Sequence, residues 1–291
     1  MNAEKNTSNA FADIENSESL ITYLQSARRR NNIKKLHHYT TLDVAIKIIK
    51  DKQWHLCAPK NMNDLLEFNS GSPERWKNKL FSSLMGEDKE SIAMWSMYGQ
   101  PWERGVKISI PKEEMIRWLK SAKTLNEISV DNYRPTGHAI DIYPGSLKAI
   151  AIAYSNCHDT EDEGQQVLQW SNVTNVKYSI IDQNFGELTG YIKNKAWTYE
   201  KEQRIMFDQE NEYERGSIEV PDYVIDSLTL TPSPLFEGDF SREIHKEIKR
   251  TLNIENSLFS QKLNIRTICA GCDLKQNSMN NHKVAASKNS G

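Results

Sequence analysis

The chain has 291 residues, 38% of them hydrophobic, which is enough apolar surface for an ordinary core in one large or two small domains. Its 37 basic and 39 acidic side chains nearly cancel, so no overall field draws it to nucleic acid or to an anionic membrane, and a nucleic-acid partner must meet a local basic patch. No apolar run is long enough to span a bilayer, and the opening residues lack the basic and apolar regions of a signal peptide; the expectation is a cytoplasmic protein with no membrane partner.

Residues 1–16 are small and polar, carry no apolar period, and are expected to be disordered. Beyond Ser17, residues Leu20, Ile21, Tyr23, Leu24 and Ala27 fall on one helical stripe that ends in Arg28, Arg29 and Arg30. With Lys34 and Lys35 these arginines form the one dense basic cluster of the chain, and two readings stand. It is a helix C-terminus followed by a solvated turn, or it is a substrate-binding patch for phosphates.

The run L-H-H-Y-T-T from Leu36 to Thr41 reads as a strand that feeds a helix from Leu42 to Lys52, with Thr41 as its N-cap. His38, Tyr39 and Thr40 offer a ring nitrogen, a phenol and a hydroxyl to a nucleotide, although a single strand histidine is as readily structural. Strand alternation turns His37 and His38 to opposite faces, so only one of them is expected to look into a cleft. A short strand, W-H-L-C, follows, and then a loop carrying Asn63, Asp64 and Glu67.

Residues 90–99 read as a helix with Ile92, Trp95 and Tyr98 on one side, and R-G-V-K-I-S-I as an alternating strand. Pro111 opens a further helix from a first-turn position. Residues Leu147 to Tyr154 are expected to form one buried strand, and residues 159–171 and 186–196 two helices. S-I-E-V and S-L-T-L-T-P read as strands, residues 239–252 as an amphipathic helix, and L-N-I-R-T-I-C as a last strand. The tail, residues 275–291, is rich in Asn, Ser and Lys and is expected to be disordered. With no internal repeat and no Gly/Ser linker, residues 17–274 are expected to be a single α+β domain. Among the four cysteines, Cys269 and Cys272 form a C-A-G-C pair without the second pair that a structural zinc site needs. Together with Cys57 and Cys157 they read as plain thiols, and no metal is expected.

The most informative stretch is W-T-Y-E-K-E-Q-R, Trp197 to Arg204. Read as extended, it turns Glu200, Glu202 and Arg204 to one side and Tyr199, Lys201 and Gln203 to the other, with Ile205, Met206 and Phe207 anchoring the strand. One reading is an exposed edge strand decorated with alternating charge. The other is a pair of carboxylates that gathers ribose hydroxyls and stabilises positive charge on a sugar, with Arg204 fixing Glu202 through a salt bridge.

Taken together, His38-Tyr39-Thr40-Thr41, Asn63-Asp64 with Glu67, Met94-Trp95-Ser96 with Tyr98, Gly105-Val106, and Trp197 with Glu200, Glu202 and Arg204 resemble a large family of uncharacterised bacterial domains with these motifs in this order. The resemblance runs over roughly residues 35 to 270. It departs in Thr41, where the family has serine, in Leu65, where it often has proline, and in Met97, where histidine is common. That family in turn looks like the ADP-ribosyltransferase fold, DarT-like toxins that modify nucleic acid among them. The resemblance implies mixed central β-sheets flanked by helices, and NAD as co-substrate without a metal. It implies that His38 holds a ribose hydroxyl, that Tyr39 or Tyr98 stacks on nicotinamide, and that Thr40, Trp95 and Ser96 belong to the NAD-binding set. By the same resemblance Glu202 is the catalytic carboxylate, Glu200 positions the acceptor, and Arg204 joins the substrate-binding residues. The acceptor is then RNA or DNA, otherwise protein, and a toxin or phage-defence role with an antitoxin partner follows for bacterial members. An NAD glycohydrolase using the same site, and a non-catalytic nucleotide-sensing domain, are the alternatives.

Overall fold

A computed structural model describes residues 33–59, 78–131, 134–155, 190–208 and 213–262. Strand β1 (Lys35–Thr41) runs directly into helix α1 (Leu42–Asp51). Thr41 is the expected cap: its backbone is extended and its hydroxyl accepts the N–H of Val44 at 3.4 Å, while Lys52 ends the helix in the left-handed region at φ 51°. Strand β2 (Gln53–Cys57) follows. Strand β3 (Lys79–Met85) was not anticipated, because K-L-F-S-S-L-M is buried on both faces almost throughout and so shows no polar alternation.

Helix α2 (Ile92–Tyr98) is capped by the Ser91 hydroxyl; it buries Met94 and Trp95 and leaves Ile92 49% exposed, so Ile92 does not share the buried side expected of it. Strand β4 (Gly105–Pro111) leads into α3 (Lys112–Ser121), and then come β5 (Thr124–Ile128) and the exposed edge strand β6 (Pro135–Asp141). The buried strand expected from Leu147 to Tyr154 is two strands, β7 (Leu147–Ala151) and β8 (Ala153–Ser155). They part at Ile152, whose N–H still bonds the Glu202 carbonyl at 3.1 Å, in line with the pairing of the preceding residues.

Residues 192–194, expected in a helix, form strand β9 (Ile192–Asn194), followed by a 3-10 turn over Lys195–Glu200 capped by the Asn194 side chain. Strand β10 (Glu202–Asp208) therefore begins five residues later than Trp197, where the extended reading put its start. The described residues close with β11 (Arg215–Glu219), α4 (Asp222–Ser227), β12 (Thr229–Pro232), α5 (Phe240–Glu247), β13 (Asn253–Ile254) and α6 (Leu258–Lys262). Helix α5 is shorter than expected: the backbone turns extended at Ile248, which packs in the core together with Leu252.

Among the described residues, eleven strands make one mixed sheet that splits. Its trunk is β3–β10–β7, all antiparallel, with β10 in the middle and buried everywhere except at Asp208; the exposed-edge reading of this stretch is thereby overturned. On its other edge β3 pairs with β1 only at Met85, through His37, and with β2 only at Phe81, through Cys57. One branch continues β1–β4–β12–β13 and the other β2–β11–β5–β6. A two-stranded parallel sheet, β8–β9, stands beside the trunk. Leu36, Trp54, Leu56, Ile108 and Ile110 of the branches pack with Ala45 and Ile49 of α1 and Trp118 of α3 in the main core. Tyr39, Met85, Met94 and Trp95 form a separate small core under α2. This is an α+β domain with helices flanking a mixed sheet, as expected from the sequence. Among the described residues no helix is long and apolar enough to cross a membrane. The expected helices over Leu20–Ala27 and residues 159–171, the loop with Asn63 and Glu67, the last strand, both tails, Arg28, Arg29 and Arg30, and Cys157, Cys269 and Cys272 lie outside the described residues.

Candidate active site

Two mechanisms, one local and one of the strand, bring the glutamates together. Glu200 ends the 3-10 turn and Glu202 begins β10; Lys201 between them adopts φ 46°, and its N–H returns to the Thr198 carbonyl at 3.2 Å. Strand alternation thus does not place Glu200, contrary to the extended reading. It does place Arg204, whose guanidinium lies on the same face as Glu202 and forks its carboxylate, Nε to Oε1 at 2.8 Å and Nη2 to Oε2 at 3.0 Å. The third nitrogen, Nη1, donates to the Gly190 carbonyl at 2.9 Å, and the Phe81 ring packs 5.0 Å from the guanidinium carbon. Arg204 is fully buried. Ser83, its partner in register on β3, donates its hydroxyl to Glu202 Oε1, and the Glu202 N–H donates to the Tyr154 hydroxyl at 2.8 Å.

A lysine that no motif announced completes the group. Lys193 Nζ on β9 donates to Glu200 Oε2 at 2.6 Å and reaches Glu202 Oε2 at 3.4 Å, with the Trp197 ring centroid 4.6 Å away. Tyr98 of α2 donates its hydroxyl to the other oxygen of Glu200. The two carboxylates are driven apart in acidity. Burial works against the Glu202 anion, but the charges of Arg204 and Lys193 and the hydrogen bonds from Arg204 and Ser83 outweigh it and hold that carboxyl at about 2. For Glu200 burial prevails, helped by the Glu202 charge, and its pKa rises despite Lys193 and Tyr98. A permanently ionised carboxylate beside one that handles a proton more readily is the usual division of labour between two acids in one site.

Opposite them, β1 supplies the other wall. His38 Nδ1 lies 3.3 Å from the Ser83 carbonyl, at the point where β1 has left β3. A carbonyl only accepts, so Nδ1 carries the proton; burial lowers the ring's pKa and keeps it neutral, which leaves Nε2 as an acceptor. The ring is tilted against Trp54 at 5.1 Å across the split. His37, on the opposite face, shares a 2.8 Å hydrogen bond between Nδ1 and Ser109 Oγ, and burial with the Lys107 charge holds its pKa at about 3. Tyr39 accepts the Ser91 N–H at 3.3 Å and meets Trp95 edge-on at 4.8 Å.

These groups enclose a cavity of about 190 Å³. His37, His38 and Tyr39 of β1, Ser83 and Leu84 of β3, Met94 and Tyr98 of α2, and Lys193, Glu200 and Glu202 line it. Both histidines border it, whereas alternation predicted one; the reason is that β1 parts from β3 after His37, so both faces of the strand meet the opening. Of the anticipated residues, His38, Tyr39, Tyr98, Glu200 and Glu202 are brought together here. Trp95 is fully buried behind Tyr39, Thr40 is buried in β1, Ser96 sits on the exposed face of α2, and Arg204 lies behind Glu202. Lys193, Ser83 and Leu84 were missed: a lysine in K-N-K and a serine in S-S carry no local signal, and only the β3–β10 pairing and the 3-10 turn give them meaning. Among the described residues no group of three or more His, Cys, Asp and Glu is arranged to hold a metal ion.

Residues 94–205, from α2 into β10, match the family described as "Protein of unknown function (DUF2971)". The match takes in Met94-Trp95-Ser96, Tyr98, Gly105-Val106, Trp197, Glu200, Glu202 and Arg204, the later motifs on which the resemblance to an uncharacterised family rested. No curated protein matches the chain. Two solved structures are similar, both of DarT from Thermus sp. 2.9. The complex with carba-NAD+ is 8% identical, with 78% of this chain and 96% of that one covered and a TM-score of 0.32. The complex with ADP-ribosylated ssDNA is 8% identical, with 77% and 94% covered and a TM-score of 0.33.

Proposed function

We propose that this chain, matched over residues 94–205 by a family of unknown function, is an NAD-dependent ADP-ribosyltransferase, a toxin or phage-defence effector whose acceptor is nucleic acid, otherwise protein. The observation that carries the reading is the ionised Glu202 at the wall of a cavity bordered by aromatic rings, with Glu200 beside it and the acceptor nitrogen of His38 across from it.

The cavity suits the nicotinamide riboside end of NAD in kind: a planar ring can lie against Tyr39 or Tyr98, and ribose hydroxyls can donate to His38 Nε2 and to the Glu202 carboxylate. Nicotinamide leaves as a neutral molecule from a cationic pyridinium, so neither a strong general acid nor a metal is required of the protein. What is required is fixed geometry, a negative charge near the ribose carbon as positive charge develops there, and few competing waters. In the transfer step the bond from ribose to nicotinamide breaks with its electron pair going to nicotinamide. The acceptor's nucleophile bonds to the same carbon, and its proton passes to Glu200, the carboxyl whose pKa is raised. Arg204 keeps Glu202 ionised and in place without touching the substrate.

The test is incubation of the protein with labelled NAD and cell lysate, with the label then followed into protein, DNA, RNA and free ADP-ribose. Label on nucleic acid from wild type, and none from Glu202→Gln at unchanged fold, is the expected result; at least about a hundredfold loss is expected for removing a charge aimed at the reacting centre. Equal label from both proteins overturns the role of Glu202. Label confined to free ADP-ribose makes the protein a glycohydrolase instead. Replacing Arg28, Arg29 and Arg30 together by glutamine tests that cluster as the phosphate patch: transfer to nucleic acid falls and its salt dependence flattens while NAD hydrolysis is unchanged, and an unchanged salt slope makes the cluster a solvated helix end.

A further inference from the structure

Lys193 belongs to none of the motifs, yet its ammonium touches both carboxylates of the site. It lies 2.6 Å from Glu200 Oε2 and 3.4 Å from Glu202 Oε2, with its side chain only 4% exposed, and it borders the cavity. Arg204 already forks Glu202, and the shorter contact of Lys193 goes to Glu200, so it is Glu200 that leans chiefly on the lysine while Glu202 shares it with the arginine.

Among the described residues, the groups that face Glu200 are few. They are Tyr98 from α2, Tyr154 from β8, Lys193 from β9, the neighbouring Tyr199, and Glu202 from β10. Lys193 is the one cation among them. Without it, Glu200 would stand buried beside an ionised carboxylate with phenols for company, and two carboxylates in one buried site do not both ionise cheaply.

We propose that Lys193 is a positioning residue of this site, holding Glu200 ionised and turned to the cavity beside Glu202 so that the pair acts as two distinct carboxylates. Its part in transfer rests on the reaction proposed above; its hold on Glu200 does not.

Carboxyl-carbon NMR of the full chain, with Glu200 assigned by the signal lost in Glu200→Gln, follows the titration of that group in wild type, Lys193→Gln and Lys193→Arg. The Glu200 midpoint moves upward in Lys193→Gln and returns toward the wild-type value in Lys193→Arg; coincident midpoints in wild type and Lys193→Gln overturn the inference. Should Lys193→Gln fail to fold, wild type alone decides. Its Lys193 ammonium nitrogen must shift with pH at the Glu200 midpoint, and a flat trace overturns the inference. With NAD turnover in hand, the acid limb of the kcat profile moves up in Lys193→Gln while KM for NAD is unchanged, and a kcat profile identical to wild type refutes the positioning role. If wild type turns over no NAD, the transfer reading falls, and the two NMR results still decide the contact itself.

Discussion

His37 and His38 are adjacent, both border the cavity, and both are held neutral by burial, yet they do different work. His38 spends its ring proton on the Ser83 carbonyl and turns a free acceptor to the cavity, whereas His37 is tied to Ser109 inside the sheet. His38→Ala is expected to weaken NAD binding at least about tenfold, near 1.4 kcal/mol, with a smaller effect on folding. His37→Ala is expected to cost about 1–3 kcal/mol of stability, because it leaves Ser109 without its buried partner, and to change NAD affinity little. Isothermal titration with NAD and urea unfolding of both variants check this. A larger binding loss in His37→Ala would mean that the ribose meets the other face of β1.

The element that decides the geometry of the glutamates is the passage from β9 through the 3-10 turn into β10. Gly190, at its head, has φ +84°, a conformation costly for any residue with a Cβ, and an added Cβ would stand 2.9 Å from the Phe81 ring. Its carbonyl also takes the third nitrogen of Arg204. Gly190→Ala is therefore expected to cost about 1–3 kcal/mol and to loosen the Arg204 fork, so that NAD turnover falls together with the unfolding midpoint. Turnover and stability both at wild-type level would show that the passage tolerates another backbone path. This is also where the reach of the sequence ended. Thr41 as a cap, β1 into α1, and the pairing of Glu202 with Arg204 were legible, because each follows from contacts within four residues. Glu200 does stand beside Glu202, but not by the expected route: two residues of spacing suggested alternation, while a left-handed Lys201 does the turning. Strand β3, Ser83 and Lys193 were not legible, since their partners lie between 7 and 129 residues away and no local pattern reports such pairings.

For the molecule as a whole, acid is the natural stress. Glu202 ordinarily titrates at 4.5 and is held at about 2 in the fold, so the stability it contributes is complete above 4.5 and is lost as the pH falls toward 2. His37 ordinarily titrates at 6.5 and is held at about 3, so its contribution is complete above 6.5 and drains away as the pH falls toward 3. Glu200, with a raised pKa, works in the opposite sense and offsets part of this slope. Unfolding free energy measured in urea is expected to decline from pH 7 to pH 3, with a shallower decline below 4.5 in Glu202→Gln; the same pH dependence in both proteins would mean that Glu202 is no more acidic in the fold than in the open chain. The split sheet carries a different implication. The opening beside β3 exists because two strands part from a third, an arrangement of main chain, and not because small side chains leave a hollow. Descendants of this gene can therefore exchange nearly every wall residue and still inherit a crevice. What mutation erodes first is its electrical character, so lineages that have abandoned the chemistry should be recognisable by an intact groove that has lost its charges.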